Sequence, residues 1–293
     1  MRRPYRGRFA PSPTGALHQG SLFTACISYL EATARQGEWL IRIEDLDPPR
    51  EESGASDNIL ACLRAHKLNP SLPVVYQSKR SHLYETALQK LYQQGRVYQC
   101  PCSRNELKQA PAHLPECGRH QLDGNYDGDK SDVALRFRGQ GLRFEWVDEV
   151  QGLQVLEIPE DFVLKRKEGL YAYQLAVVVD DIDQGITHIV RGIDLLDSTP
   201  MQLALYQAFD QPPPSFAHLP ILIDENKQKL SKQNKASPVM GAHAVANLSY
   251  MMALAEFPYC NKLGTCESIL DTVRNTWQLN ALLNKQTIDA IKT

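Results

Sequence analysis

A histidine two residues ahead of a glycine closes the run RFAPSPTGALHQGS, Arg8 to Ser21. The run reads as the end of an apolar strand (Phe9, Ala10), a turn punctuated by Pro11, Pro13 and Gly15, and the opening of a helix. Leu22, Cys26, Leu30 and Thr33 recur at helical spacing, and Gly37 is placed to cap the helix end. The first turn of a helix carries N–H groups with no helical partner and the positive end of the dipole, so it is a ready seat for phosphate. His18 stands at that end, and Gly20 leaves room for a nucleotide to approach the backbone. Two familiar phosphate loops do not fit. There is no G-x-G-x-x-G, and Ser21 follows Gly20 where a P-loop lysine belongs. Far along the chain lies a second candidate, Lys229-Leu230-Ser231-Lys232-Gln233, after an apolar strand at Leu219 to Ile223 and a polar turn at 224–228. Taken singly, each has a plain structural explanation: a helix-capping histidine, and a solvated lysine turn.

These groups need a scaffold, and the chain supplies an alternation. Trp39 to Ile43 reads as a buried strand ending in Glu44, Asp45 and Asp47, acids that would face the ligand crevice of an open α/β sheet. Pro48 and Pro49 stop it. A helix through Ile59 and Leu63 follows, then a strand at Val74 to Tyr76 and a helix with Leu83/Tyr84, Ala87/Leu88 and Leu91/Tyr92, closed by Gly95. Val97 to Gln99 is a further strand. Residues 100–132 are rich in Pro, Gly, Asp and Cys and read as irregular. Strands are expected at Val133 to Arg138, Leu142 to Val147 and Phe162 to Arg166. The apolar stretch Tyr171 to Val179, a strand at Thr187 to Arg191 and a helix from Pro200 to Phe209 resume the α/β rhythm, and everything after Ala236 reads as helical.

Composition narrows the class. In 293 residues, 43% hydrophobic and 23% charged is the make-up of an ordinary enzyme able to bury a large core. A formal net charge of −2 excludes gripping nucleic acid by bulk positive charge but permits a local basic face. The opening MRRPYRGR lacks the apolar core of a signal peptide, and no apolar run approaches the roughly 20 residues a bilayer requires. Seven cysteines, an odd number, do not make a disulfide framework and fit a reducing cytoplasm. The expectation is a cytoplasmic protein with no membrane partner, and nothing demands more than a monomer.

His18-Gln19-Gly20-Ser21 resembles the HIGH signature, and KLSKQ the KMSKS loop, of class I aminoacyl-tRNA synthetases. With RIEDLDPPRE, the CxC segment, EDFVLKRKEGLYAYQLAVVVDD and IVRG between them, the chain from Arg8 to about Ser237 resembles the glutamyl class of that family. The likeness is strongest to a shortened branch that passes glutamate to queuosine in the anticodon of tRNA(Asp). About sixty residues follow the lysine loop, too few for the large region that reads the anticodon in longer members, so no anticodon-binding domain is expected. The resemblance implies an α/β fold: a Rossmann-like parallel sheet in two halves, 1–97 and 169–236, an inserted α+β subdomain at 98–168, and a short helical tail at 237–293.

It also implies a reaction and its residues. L-glutamate attacks the α-phosphate of ATP, which enters with Mg2+, and the glutamyl-adenylate gives its acyl group to the cyclopentene-diol of queuosine. His18, Gly20, Ser21, Lys229 and Lys232 would be catalytic, with Pro11, Thr14 and Gly15 joining His18, Gly20 and Lys232 at the ATP. Arg8, Ala10, Ser12, Glu44, Tyr173 and Arg191 would hold glutamate, Glu44 taking the ammonium group and each arginine a carboxylate through its planar fork. Family members often bind zinc through C-x-C followed by Y-x3-C. Here Cys100, Cys102 and Cys117 are in place and His113 stands where the tyrosine would, giving a structural Cys3His site, with His120 and Tyr126 as rival fourth ligands. Arg136, Arg138, Arg143, Lys165, Arg166 and Lys167 are available for tRNA phosphates, none assigned individually.

Overall fold

Phe9 ends strand β1 (Arg6–Phe9), and a turn delivers the chain to helix α1 (Gln19–Ala34). The structure is a computed structural model that describes residues 4–109, 117–120, 133–230 and 238–290. Strand β2 (Glu38–Ile43) runs parallel to β1 with Leu40 opposite Arg8; after α2 (Ala55–Ala65), the short β3 (Val75–Tyr76) pairs parallel to β2. Next come α3 (Ser81–Gln93), β4 (Val97–Cys100) and α4 (Arg104–Gln109). Four strands follow: β5 (Ala134–Phe137), β6 (Arg143–Asp148), β7 (Gly152–Glu157) and β8 (Phe162–Lys165). Then α5 (Tyr173–Asp183), β9 (His188–Gly192), α6 (Thr199–Ala208) and β10 (Ser215–Leu219) restore the alternation. The chain continues through β11 (Ile221–Ile223), α7 (Ala244–Leu254), α8 (Cys266–Arg274) and β12 (Thr287–Asp289).

The two halves of the α/β domain meet beside β1. Strands β1, β2 and β3 are mutually parallel, as are β9 and β10. The Thr187 N–H donates to the Arg6 carbonyl at 2.9 Å, and the Arg6 N–H to Thr187 Oγ1 at 2.8 Å, which seats β9 on the free side of β1. The chain leaves β1 toward β2 on one side and reaches β9 and β10 on the other. Such a switch point opens a crevice at the carboxyl ends of the strands. Helix α1 closes one face, burying Leu22, Cys26, Ile27 and Leu30 against Trp39, Ile41 and Ile43 of β2. The α/β class and the parallel sheet read from the alternation are therefore those of the structure.

Several elements differ from the sequence reading. The strand expected at 219–223 is two, because Pro220 has no N–H to give a ladder. β10 stays in the sheet beside β9, while β11 pairs parallel with β12. The tail after Ala236 is thus not wholly helical: α7 and α8 lead into a strand. Strand β7, unread in the sequence, forms a hairpin with β6, and Asp148 at the end of β6 pairs parallel with Phe216 of β10. Residues 98–168 consequently contribute to two sheets, the antiparallel β4-β5-β8 and the edge of β9-β10.

Gly37 is not the left-handed cap of α1. Gln36 takes that conformation, at φ 55°. What Gly37 provides is close approach: a β-carbon there would collide with the Tyr5 carbonyl, which accepts the Glu38 N–H at 3.0 Å and starts the β1–β2 ladder. Gly37→Ala should therefore lower unfolding free energy by about 3 kcal/mol, the upper end for overpacking. A urea titration giving a loss near zero would contradict this account of the α1–β2 joint.

Candidate active site

The turn between β1 and α1 is stitched to the end of β2. The Glu44 N–H donates to the Pro11 carbonyl and the Glu52 N–H to the Pro13 carbonyl, both at 3.0 Å. Gly15 sits at φ 125°, a conformation that suits glycine, and faces the Glu52 carboxylate. His18 is the N-cap of α1: its Nδ1 accepts the Ser21 N–H at 3.3 Å, and Nε2 lies 2.9 Å from Ser21 Oγ. An acceptor at Nδ1 leaves the proton of the neutral ring on Nε2, which can donate to an oxygen of Ser21 or of a ligand.

A cavity of about 640 Å³ opens at the carboxyl ends of β1 and β9. Its walls include Arg8, Ala10, Pro11, Ser12 and Thr14 from β1 and its turn, His18 and Ser21 from α1, and Glu44 from the end of β2. Tyr173 of α5, Arg191 of β9 and Lys229 complete the opposite side. Gly20 lines a smaller, adjoining space of about 160 Å³ that shares His18, Ser21 and Lys229 with the first. Among the site residues expected from sequence, Gly15 lines neither and shapes the turn from behind. Lys232 lies outside the described residues. The chain on both sides of it abuts the His18 turn: the Leu230 carbonyl lies 3.5 Å from where a Gly20 β-carbon would stand, and the Val239 N–H donates to the Leu17 carbonyl at 2.8 Å. Lys229 Nζ pairs with Asp194 Oδ2 at 2.7 Å.

Beneath the inner end of the cavity lies a buried charge network. Arg8 donates through Nε and Nη2 to Asp181 at 3.1 and 3.3 Å, and Arg42 Nη1 donates to the same carboxylate at 2.7 Å. Burial alone would raise the Asp181 carboxyl, yet Arg42 and Arg8 together hold it below its ordinary value. The neighbouring Asp180 accepts from Gln77, Arg80 and Tyr84 at 2.6–2.9 Å. Glu44 is in a different condition. Its Oε1 lies 3.5 Å from Arg42 Nη2 and has no hydrogen-bond partner among the described residues. Burial pushes its carboxyl up to about 7, with Arg42 and Arg8 countering only part of the effect. An unmet acceptor on a cavity wall, between arginines, suits the ammonium group of an amino acid.

The acids next to Glu44 do not face the crevice as the sequence reading had it. Asp45 accepts from the Ser78 N–H and hydroxyl, and Asp47 pairs with Arg166 and Arg50. The basic residues available for tRNA are mostly internal ties. Arg136 donates to the Asp161 carbonyl, Arg138 to the carbonyls of Gly118 and Arg119, Lys165 to Glu85 and Lys167 to the Pro101 carbonyl. Arg143 is exposed on the outer face of the β6–β7 hairpin.

At the end of β4, Cys100, Cys102 and Cys117 are buried with their sulfurs within 4.8 Å of one another. A tetrahedral zinc with sulfur at about 2.3 Å spaces its ligands about 3.8 Å apart, so the three thiols fit that ion. Burial pushes the Cys117 thiol up to about 12, so it holds a proton that a bound cation would displace. His113 and Tyr126 lie outside the described residues, and so does the His120 side chain.

Several residues went unread in the sequence: Arg42, Asp180, Asp181, Asp148 and His218. The signal was present for the first three. Arg42 interrupts the apolar strand WLIRI, and Asp180-Asp181 interrupts the apolar run LAVVVDDI. A charge inside an apolar run must be buried with a partner or abandon the element.

With this geometry in view, the comparisons are direct. Residues 5–279 match a family model described as tRNA synthetases class I (E and Q), catalytic domain, and the chain belongs to that family. Two curated relatives, both named glutamyl-Q tRNA(Asp) synthetase, narrow the likeness. The protein from Chromobacterium violaceum is 48% identical over 261 residues, 85% of each chain. That from Vibrio vulnificus is 41% identical over 288 residues, 95% of this chain and 91% of its own. The fold is that of a glutamate tRNA ligase from Elizabethkingia meningosepticum solved in complex with its amino acid, at TM-score 0.76 and 24% identity, covering 99% of this chain and 67% of that one.

The sign of the Glu44 shift gives a pH dependence. Its carboxyl is neutral below about 7 and charged above, and only the carboxylate attracts an ammonium group. Affinity for L-glutamate should therefore reach a plateau above about pH 7.5 and fall roughly tenfold per pH unit below about 7. Glu44→Gln should bind weakly and lose this slope. Calorimetric titrations between about pH 5.5 and 8 that give a flat profile for the unsubstituted protein would remove Glu44 from the ammonium site.

Proposed function

We propose that this protein activates L-glutamate with ATP and transfers the glutamyl group to queuosine in the anticodon of tRNA(Asp). The observation that carries the first half is one cavity walled by two arginines, an acid with an unmet oxygen and a helix N-terminus. Support for the acceptor comes from the relatives, which are named for that tRNA.

In this reading Glu44 takes the ammonium group, while Arg8 and Arg191 each take a carboxylate. One oxygen of the α-carboxylate forms a bond to the α-phosphorus of ATP as the bond to pyrophosphate breaks. The protein's share is to align the two anions and offset the charge on the phosphorus. His18 and the first N–H groups of α1 face the phosphates, the turn from Pro11 to Gly15 holds the nucleotide's near side, and Lys229 and Lys232 meet the departing pyrophosphate. A queuosine hydroxyl oxygen then attacks the acyl carbon, AMP leaves, and the hydroxyl proton passes to the released phosphate. The mixed anhydride supplies the driving force, so the second step needs chiefly that the diol be held against it. Mg2+ enters with ATP. Cys100, Cys102 and Cys117, with His113 as the expected fourth ligand, would hold a zinc ion that supplies a structural cross-link after β4. A cytoplasmic monomer suffices for this chemistry.

The arginines also account for choosing glutamate over glutamine. A pocket built to pair a carboxylate leaves its donors badly matched against an amide, and such mismatches discriminate by orders of magnitude. Incubation with labelled glutamate, ATP and tRNA(Asp), followed by nuclease digestion and mass spectrometry, tests the whole scheme. The expected product is glutamyl-queuosine, absent when guanosine replaces queuosine. Label on the terminal adenosine would move the acceptor to the other end of the tRNA, and absence of glutamate-dependent ATP–pyrophosphate exchange would overturn the activation step. For the cysteine cluster, protein purified without chelator should carry about one zinc per chain and lose it in Cys117→Ser. Metal analysis finding less than about half an equivalent would point to a metal-free loop.

A further inference from the structure

Arg191 differs from Arg8 in what neutralises it. Among the described residues no carboxylate is in ion-pair contact with its guanidinium. Nε–H donates to His218 Nε2 at 2.9 Å, Nη1 to Gln202 Oε1 at 2.7 Å and Nη2 to Thr199 Oγ1 at 2.9 Å. Of five N–H groups, three are committed to these acceptors, and the Tyr173 hydroxyl on the same cavity wall is a further hydrogen-bonding neighbour of the guanidinium. The ring of Phe216 lies beneath, its centroid 5.3 Å from the guanidinium carbon.

His218 stands directly opposite Arg191 across the β9–β10 ladder and is fully buried. Its Nε2 faces two donors: Arg191 Nε–H, and Thr199 Oγ1 at 3.3 Å, whose oxygen already accepts from Arg191 and whose own proton is therefore free to donate. Two donors demand a lone pair at Nε2, which places the ring proton on Nδ1. There it meets Asp148 Oδ2 at 2.5 Å. The other carboxylate oxygen, Oδ1, accepts three backbone N–H groups: Val150 at 3.0 Å, Gln151 at 2.9 Å and His218 at 3.0 Å. Burial lowers the His218 pKa, and the Asp148 hydrogen bond restores only part of it, so the ring is neutral at neutral pH.

We infer that Asp148 and His218 are positioning residues for Arg191: Asp148 fixes the tautomer of His218, and that tautomer holds the guanidinium on the cavity wall beside Tyr173, where a ligand can meet it. The inference rests on reading the cavity as the glutamate site. Among the described residues no carboxylate touches Arg191, Asp148 reaches it through the imidazole and Asp181 acts on it from a distance, so a ligand's carboxylate would make its direct ion pair. Arg8, clamped by Asp181, lacks that reserve.

Asp148→Asn tests this with almost no change in shape. The three backbone donors keep the amide oxygen at the Oδ1 position, which forces the amide NH2 toward His218 Nδ1. The ring must then accept at Nδ1 and carry its proton on Nε2, against Arg191 Nε–H. A similar amide substitution elsewhere in enzymes selects the wrong imidazole tautomer in this way. The KM for L-glutamate in ATP–pyrophosphate exchange should rise about tenfold to a hundredfold, the worth of a hydrogen bond to a charged group, while the KM for ATP stays within about twofold. Nitrogen-15 NMR of the His218 ring should report transfer of the proton from Nδ1 to Nε2. His218→Gln, whose amide can present oxygen to Arg191 and NH2 to Asp148, should keep more glutamate affinity than His218→Leu, and this pair decides the matter if Asp148→Asn does not fold. A proton that stays on Nδ1 in Asp148→Asn, a glutamate KM within about twofold of the unsubstituted protein, or equal losses in the two His218 variants overturns the positioning role. If the unsubstituted protein shows no glutamate-dependent exchange while its ring tautomer is as described, it is the reading of the cavity that fails.

Discussion

One buried carboxylate is shared by arginines from two neighbouring strands, and much of the structure is arranged around that contact. Asp181 of α5 receives Arg8 from β1 and Arg42 from β2, with all three almost wholly out of water. Taking such charges out of water costs several kcal/mol per ion, and an apolar trio of the same volume is often at least as stable. Stability alone therefore gives no reason for the arrangement. What it provides is fixed direction: Arg8 cannot swing, because Nε and Nη2 are both held, and α5 cannot slide without breaking two ion pairs at a cost of about 3–5 kcal/mol each. A site that works by alignment needs its donors immobile before the ligand arrives.

The same helix carries a second set of ties with a different purpose. Asp180 binds Gln77, Arg80 and Tyr84, drawing the segment before α3 and α3 itself against α5. Tyr173, at the first turn of α5, then faces the cavity from a helix pinned at its far end. Electrostatically the wall is uneven. Arg8 is largely neutralised by Asp181, Glu44, raised to about 7, carries only part of its charge near neutral pH, and Arg191 has no carboxylate in contact among the described residues. Arg50 and Lys229 also line the cavity, each already paired with a carboxylate, Asp47 and Asp194 respectively. An anion entering the cavity therefore meets its least compensated cation at Arg191.

How much of this was legible in the sequence depended on whether the physics was local. The turn before α1 could be read because prolines, a glycine and a capping residue act within a few positions of themselves, and the lysine loop because its strand precedes it directly. Arg8, Glu44 and Arg191 sit at strand ends, where an α/β sheet always presents its ligand, so the resemblance and the topology pointed to the same residues. Arg42, Asp180 and Asp181 were passed over because hydrophobic periodicity treats a lone charge as noise. His218 and Asp148 could not be paired from sequence, since their contact depends on β6 joining β10 seventy positions away. Strand β7 was missed for a further reason: its apolar Leu153 and Val155 are 62% and 37% exposed, while the polar Gln154 between them is half-buried. Pattern and burial are inverted there, and alternation misleads.

The tail, too, is part of the site's support although none of its described residues lines the cavity. β12 completes a parallel pair with β11, and the Ala290 N–H donates to the Ile223 carbonyl at 2.8 Å. Gln151 bridges the carbonyls of His218 and Lys285, each at 2.8 Å, and Trp277 donates to buried Glu31 of α1 at 2.7 Å. β11 is therefore held from both sides before the chain turns at Asp224 toward Lys229. Pro220 makes this necessary: it takes β11 out of the main sheet, where β10 has its own partners, and an unpaired three-residue strand would not hold a position alone. By supplying the missing partner, β12 fixes where Lys229 and Leu230 meet the His18 turn. The placement of Lys229 and Leu230 beside the His18 turn thus depends on a strand more than fifty residues downstream of them.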